Sequence, residues 1–296
     1  MTWLQLILTT SSDKAPACAE SLSDAGAVAV TLQDAKDDPL YEPPLNTTPL
    51  WHQTQVIGLF PAEVNLHSVQ GFLKRSLDSQ TYISLKSEPL EDKNWTEAWM
   101  DRFQPMQYGS TLWVCPSHTE IPDPTAINVL LDPGLAFGTG THPTTRLCLE
   151  WLDEHPPRQA RVIDYGCGSG ILGIAALKLG ASFVYAIDYD PQALISTQQN
   201  SQHNGFSTAE IIPLLPNELN LTARVDVILA NILLNPLIEL APTFSDCITE
   251  EGIVVISGIL EAQIQPLLAE YSRWFKVVDT AIQEGWARIS FSRLNP

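Results

Sequence analysis

The chain has 296 residues, 45% of them hydrophobic and 17% charged. That is enough apolar material for roughly two domains of the usual ~100–200 residues, and it excludes a disordered polymer. The formal net charge of −18 excludes a general affinity for nucleic-acid backbone, which depends on clustered Lys and Arg, and favours a basic partner instead. The five cysteines are scattered without a CxxC pair, and the six histidines show no HExxH spacing, so reduced thiols are expected and no metal site.

In chain order, "MTWLQLILTTSSDKAPACAE" opens with an apolar run that Gln5 interrupts and no Lys or Arg precedes. A run of about six apolar residues is short of the ~7–15 of a signal-peptide core, so it reads as a first strand near Leu4–Leu8. A helix near Ala15–Ala25, a strand near Ala27–Leu32, a polar Pro-rich loop, a strand near Thr54–Phe60, a helix near Ala62–Leu77 and a strand near Tyr82–Leu85 follow. The order βαββαβ predicts a smaller α+β ferredoxin-like domain over residues 1–90. Within 91–110, Trp95, Trp99, Met100 and Phe103 share one helical face until Pro105, which predicts a linker helix.

Residues 111–296 begin with strands near Leu112–Cys115 and Ala126–Leu131, then "DPGLAFGTGTHPTTR" at 132–146, then a helix near Thr144–Glu154. From Arg161 strands and helices alternate: "RVIDY", "FVYAID", a short strand near Glu210–Pro213, "VDVILAN" and "GIVVISG", with helices from Ile171, Pro191, Pro236 and Ala262. Two final strands, "FKVVDTAIQ" and "WARISFSR", are separated only by "EG". Five apolar βα units imply a parallel sheet covered on both faces, and the tight last turn implies an antiparallel hairpin. The predicted fold is therefore α/β: a Rossmann-like seven-stranded sheet of the class I methyltransferase type. No segment reaches the ~18 apolar residues of a membrane span.

The segment "VIDYGCGSGILGIAALKLGA" places Gly166, Gly168 and Gly170 between a strand and a helix, where a glycine turn lets the backbone approach a ligand. Gly168, Gly170 and Gly173 also satisfy the dinucleotide pattern GxGxxG. Asp164 separates the readings: a carboxylate aimed into the cleft opposes a pyrophosphate but suits the cationic methionine end of S-adenosylmethionine. Asp188, at the end of the second strand, is placed to accept both ribose hydroxyls.

The fourth strand ends in "ANILLNPL". Asn231 stands where methyltransferases acting on nitrogen carry an acceptor for the amine, while Ile232, Leu233 and Leu234 replace the aromatic that would stack on a base. Asn231 either serves the amine or caps the next helix. Trp286 either faces a methylated ammonium or belongs to the core. No side chain stands out as a general base, and none is assigned a catalytic role. In the 132–146 stretch, His142 or Thr141 is expected to cap a helix with Pro143 in its first turn. Free N–H groups near Thr144 and Thr145 would then receive the cofactor's carboxylate.

Together "DPGLAFGTGTHPTTRLCLEWL", the glycine segment, "AIDYDPQAL", "DVILANIL" and "SGIL" closely resemble the ribosomal protein L11 methyltransferase family, over about residues 95–296. The resemblance implies a cytoplasmic, monomeric enzyme that uses S-adenosylmethionine to trimethylate the N-terminal α-amine and lysine side chains of a basic large-subunit ribosomal protein. It also implies that the N-terminal domain recognises the substrate, with no direct contact to nucleic acid or membrane. The family's cofactor contacts map onto Thr145, Gly166, Asp188 and Asn231, with Gly168 in the same turn and Phe137 in a loop over the cofactor. The alternatives are an amine methyltransferase for another protein or a small molecule, a non-catalytic binding module, and an NAD-dependent oxidoreductase.

Overall fold

The computed structural model describes residues 3–36, 40, 47–78, 80–90, 103–132, 140–220 and 224–294. The chain divides into two compact units, Met1–Ala98 and Trp99–Pro296. Residues 91–102 of the expected linker helix and Phe137 lie outside the described residues.

The first unit runs β1 (Trp3–Ser11), α1 (Ala15–Asp24), β2 (Ala29–Asp34), β3 (Gln53–Pro61), α2 (Leu66–Ser76) and β4 (Ser84–Leu90). Its sheet is antiparallel in the order β2-β3-β1-β4. Side chains alternate across a strand, so Leu6 and Leu8 of β1 and Val56 and Phe60 of β3 point the same way. They form one core with Cys18 and Leu22 of α1 and Val69 and Leu73 of α2. Helix α2 starts four residues later than its apolar pattern suggests, because Asn65 caps it by accepting from the Ser68 N–H at 3.1 Å. Strand β4 runs five residues beyond its predicted end. Its polar tail and Pro89 are tolerated because β4 is an edge strand bonded only to β1.

The second unit opens with β5 (Met106–Tyr108), β6 (Leu112–Cys115) and β7 (Ile127–Leu130), which form a separate three-stranded sheet. There follow α3 (Pro143–Glu154), β8 (Arg161–Tyr165), α4 (Ile171–Lys178), β9 (Phe183–Ile187), α5 (Pro191–His203), β10 (Ile211–Leu214) and β11 (Val225–Asn231). The unit ends with α6 (Leu234–Cys247), β12 (Ile248–Leu260), α7 (Ile264–Tyr271), β13 (Phe275–Gln283) and β14 (Trp286–Arg293). The main sheet has the order β10-β9-β8-β11-β12-β14-β13, parallel as far as β12 and antiparallel through the last hairpin. Glu284 and Gly285 both take positive φ, 52° and 77°, which a two-residue hairpin turn with the sheet's twist requires.

Each face of this sheet has its own core. Val162, Val184, Val227, Leu229 and Val255 pack with α3, α4 and the small sheet, while Ile163, Ile228, Val254, Ile256 and Ile289 pack with α6 and α7. The alternation within β8 puts Val162 and Asp164 on the first face and Ile163 and Tyr165 on the second. All five parallel strands therefore end at one edge, where the β8–α4 turn, the end of β9 and the end of β11 meet.

Candidate functional site

The site forms around the β8–α4 turn. Gly166 has φ +76°, in the left-handed region, and a Cβ there would overlap Ile232 just past β11. Only glycine satisfies both conditions. Gly168 also has positive φ, and its N–H donates to Asp188 Oδ2 at 3.0 Å, while Asp188 Oδ1 accepts from the Asp190 N–H at 3.0 Å. The turn and the carboxylate at the end of β9 are thus fixed against each other. Each Asp188 oxygen keeps a second lone pair for a hydroxyl donor.

The second half lies between α3 and β11. His142 is the N-cap residue of α3 and Pro143 its first helical residue, one of the two arrangements expected. Asn231 Nδ2 donates to Thr145 Oγ1 at 3.2 Å, which joins the end of β11 to the first turn of α3. Helix α6 begins only at Leu234, after Leu233 as its N-cap, so Asn231 is not a helix cap. With Nδ2 engaged, Oδ1 is the acceptor left to the residue. Trp286 is half-buried, and its ring meets His142 edge-on at 4.6 Å. Burial holds the His142 imidazole below its ordinary pKa, against a weaker opposing pull from Glu284. The imidazole Nδ1 accepts from the Thr144 N–H at 3.3 Å and lies 2.7 Å from the Thr144 hydroxyl oxygen.

Two expectations need correction. Asp164 does not face the cleft. It is 1% exposed, lies under the turn and accepts from the Gly173 N–H at 2.9 Å. Burial, opposed by that hydrogen bond and reinforced by Asp188, pushes its pKa up to about 7. Nor are the N–H groups of Thr144 and Thr145 free for a carboxylate. The first bonds His142 Nδ1, and the second bonds the His142 carbonyl at 3.0 Å. What remains at this helix start is the Thr145 hydroxyl.

Of the six predicted cofactor contacts, Gly166, Gly168 and Asp188 therefore form one cluster and Thr145 and Asn231 a second, linked by the approach of Ile232 to Gly166. One group of residues escaped the sequence reading. Thr197 and Asn200 of α5 bond the carbonyls of Gly168 and Ser169 at 3.1 and 2.9 Å. A polar buried face on an otherwise ordinary helix was the signal that could have revealed them.

The family described as ribosomal protein L11 methyltransferase (PrmA) matches residues 2–294. The chain belongs to this family. A ribosomal protein L11 methyltransferase from Marinomonas sp. (strain MWYL1) is 47% identical over 292 residues, with 98% of each chain covered. One from Nitrosococcus oceani is 48% identical over 293 residues, covering 99% of this chain and all of the relative. The crystal structure of a ribosomal protein L11 methylase from Lactobacillus delbrueckii subsp. bulgaricus aligns with a TM-score of 0.58 and 31% identity, over 65% of this chain and all of that one. The family and its fold make this a class I methyltransferase whose cofactor is S-adenosylmethionine. The site fits that group: a turn open to backbone approach at Gly166 lies beside a carboxylate able to take ribose hydroxyls.

Proposed function

We propose that this chain methylates amines of ribosomal protein L11, namely the N-terminal α-amine and lysine side chains, up to the trimethylated state. The observation that carries the reading is Asn231, held at the end of β11 by its Nδ2 bond to Thr145. An amide oxygen at this place accepts an N–H of the incoming amine and so orients the nitrogen lone pair. Gly166, Gly168, Asp188 and Thr145 would hold the cofactor, with Phe137 added from the family resemblance. S-adenosylmethionine supplies an electrophilic methyl group on a sulfonium.

What the chain's own residues must do is modest. They align a neutral amine and exclude water, which is the kind of positioning that lowers a barrier without covalent catalysis. The amine must first lose a proton, from a pKa near ~10.4 for lysine or ~8 for an α-amine. His142 is unsuited to take it through Nδ1, which already accepts a hydrogen bond. Desolvation and a neighbouring positive charge lower the amine's own pKa instead. The replacement of the usual Pro-Pro-aromatic portion by Ile232, Leu233 and Leu234 favours a flexible amine over a stacked base. The net charge of −18 favours a basic protein substrate. We further assign substrate recognition to residues 1–90 and cofactor binding to residues 111–296, in a monomer of the cytoplasm. Among the described residues no helix is long and apolar enough to cross a membrane.

The test is incubation of purified protein with labelled S-adenosylmethionine and L11. Label in L11 at amine positions is expected. Label only in RNA, another protein or a small molecule would overturn the assignment of the substrate.

A further inference from the structure

Helix α5 has an unusual inner face. Its buried positions, together with the residue that ends it, are Ala193, Ser196, Thr197, Asn200, Ser201 and Asn204, where a helix packed on a sheet ordinarily presents aliphatic side chains. Buried polar groups require partners, and these have specific ones. Thr197 Oγ1 donates to the Gly168 carbonyl at 3.1 Å, and Asn200 Nδ2 donates to the Ser169 carbonyl at 2.9 Å. Both acceptors lie in the cofactor turn.

The same helix reaches a second place. Asn200 Oδ1 accepts from the Asp132 N–H at 3.3 Å. One turn further on, Asn204 exchanges two hydrogen bonds with the backbone of Leu130, 2.9 Å from its N–H and 2.6 Å to its carbonyl. Strand β7 is an edge strand, and Asn204 completes its ladder as a neighbouring strand would. The Asp132 carboxylate in turn accepts from Ser117 Oγ at 2.7 Å and meets His203 Nδ1 at 3.3 Å. Asn200 thus joins the glycine turn to the backbone that enters the 132–146 motif.

We propose that Asn200 is a positioning residue for S-adenosylmethionine binding, which locks the Ser169 carbonyl and the Asp132 amide to one helix so that the turn keeps its binding shape. Thr197 acts with it on the turn, whereas Asn204 bonds the strand and the Asn200 carbonyl but makes no bond to the turn. The inference rests on the cofactor site proposed above, and it goes beyond it by assigning a role to a residue that need not touch the ligand.

Three variants, Asn200→Leu, Thr197→Val and Asn204→Leu, are compared with the parent by calorimetric titration with S-adenosylmethionine and S-adenosylhomocysteine, by thermal melting and by steady-state kinetics. For Asn200→Leu we expect a cofactor Kd raised at least about tenfold, as when a buried donor and acceptor lose their partner. The rise should appear in the cofactor KM, with kcat at saturation within about twofold of the parent. Asn204→Leu should lower the melting temperature and leave Kd within about twofold. Thr197→Val, close in shape to threonine, keeps the test open if Asn200→Leu does not fold, and should also raise Kd. Parent-like cofactor affinity in the folded Asn200→Leu variant, or in Thr197→Val should Asn200→Leu not fold, would overturn the proposal. Asp188→Ala separates the two levels: weakened binding there with parent-like binding in Asn200→Leu removes only the role of α5. Unchanged binding in Asp188→Ala removes the cofactor site itself.

Discussion

Burial pushes the Asp164 carboxyl up to about 7 from an ordinary 3.8, so between those values the folded protein holds a proton that the unfolded chain has released. Stability then falls as pH rises through this window, by up to about 1.4 kcal/mol per pH unit, and levels off above it. Asp164→Asn should remove that slope in denaturant titrations from pH 4 to 8, because an amide oxygen still accepts the Gly173 N–H; an unchanged slope would refute the assignment. At Thr145 the expectation is different in kind. Thr145→Ala removes the Asn231 partner, and cofactor affinity measured by calorimetry should drop about 3- to 10-fold, the worth of one ordinary hydrogen bond. Asp188 and the glycines were legible in the sequence because spacing alone ties them to a strand end. The direction of Asp164 was not, since alternation along β8 decides which face a side chain takes and the sequence motif says nothing about packing. The Thr144 and Thr145 amides were misjudged for another reason: His142 was one of the two caps expected, and its ring and carbonyl take up the same two N–H groups that were assigned to a ligand.

At the scale of elements, the β8–α4 turn depends on Gly166. Gly166→Ala would force an L-residue into left-handed backbone at a cost of at least about 1–2 kcal/mol, and would press on Ile232; both the denaturation midpoint and cofactor binding should fall. The terminal hairpin carries a buried cation, Arg288, whose Nη1 lies 2.7 Å from Asp279 Oδ2 with the carboxylate half exposed. The Arg288 guanidinium holds the Asp279 carboxyl below its ordinary pKa. Breaking such a pair from the carboxylate side leaves a buried charge unpaired. Asp279→Ala should therefore destabilise by less than the ~3–5 kcal/mol of a fully buried pair, because Asp279 is half exposed, and by more than Arg288→Met does. The reverse order in urea titrations would show that the pair contributes nothing. Strands and helices of the catalytic unit followed from period and turn chemistry, down to the "EG" hairpin. Strands β6 and β7 were expected, but their joining with β5 into a separate sheet was not, because β5 is only three residues long and the edge of β7 is completed by Asn204 side-chain groups instead of a further strand.

For the whole molecule, the two units each have a hydrophobic core of their own, so their contributions should be separable. A fragment comprising residues 99–296 is expected to bind S-adenosylmethionine like the full chain, yet to lose at least about tenfold in kcat/KM for L11, equivalent to about 1.4 kcal/mol of lost recognition. Undiminished kcat/KM would place substrate recognition in the catalytic unit. The division of labour cannot be read from the first ninety residues alone, because a βαββαβ fold serves many functions and no motif in it names a ligand. The chemistry, in contrast, is concentrated in short segments whose glycines, Asp188 and Asn231 lie along one sheet edge. Whether this site methylates the amines of ribosomal protein L11 is measured most directly by intact and peptide mass spectrometry of L11 from cells with and without the chain. Loss of methylation at the N-terminal α-amine and at lysines when the chain is absent, restored by the parent but not by Asp188→Ala, is the predicted result; L11 equally methylated in both cells would contradict the account.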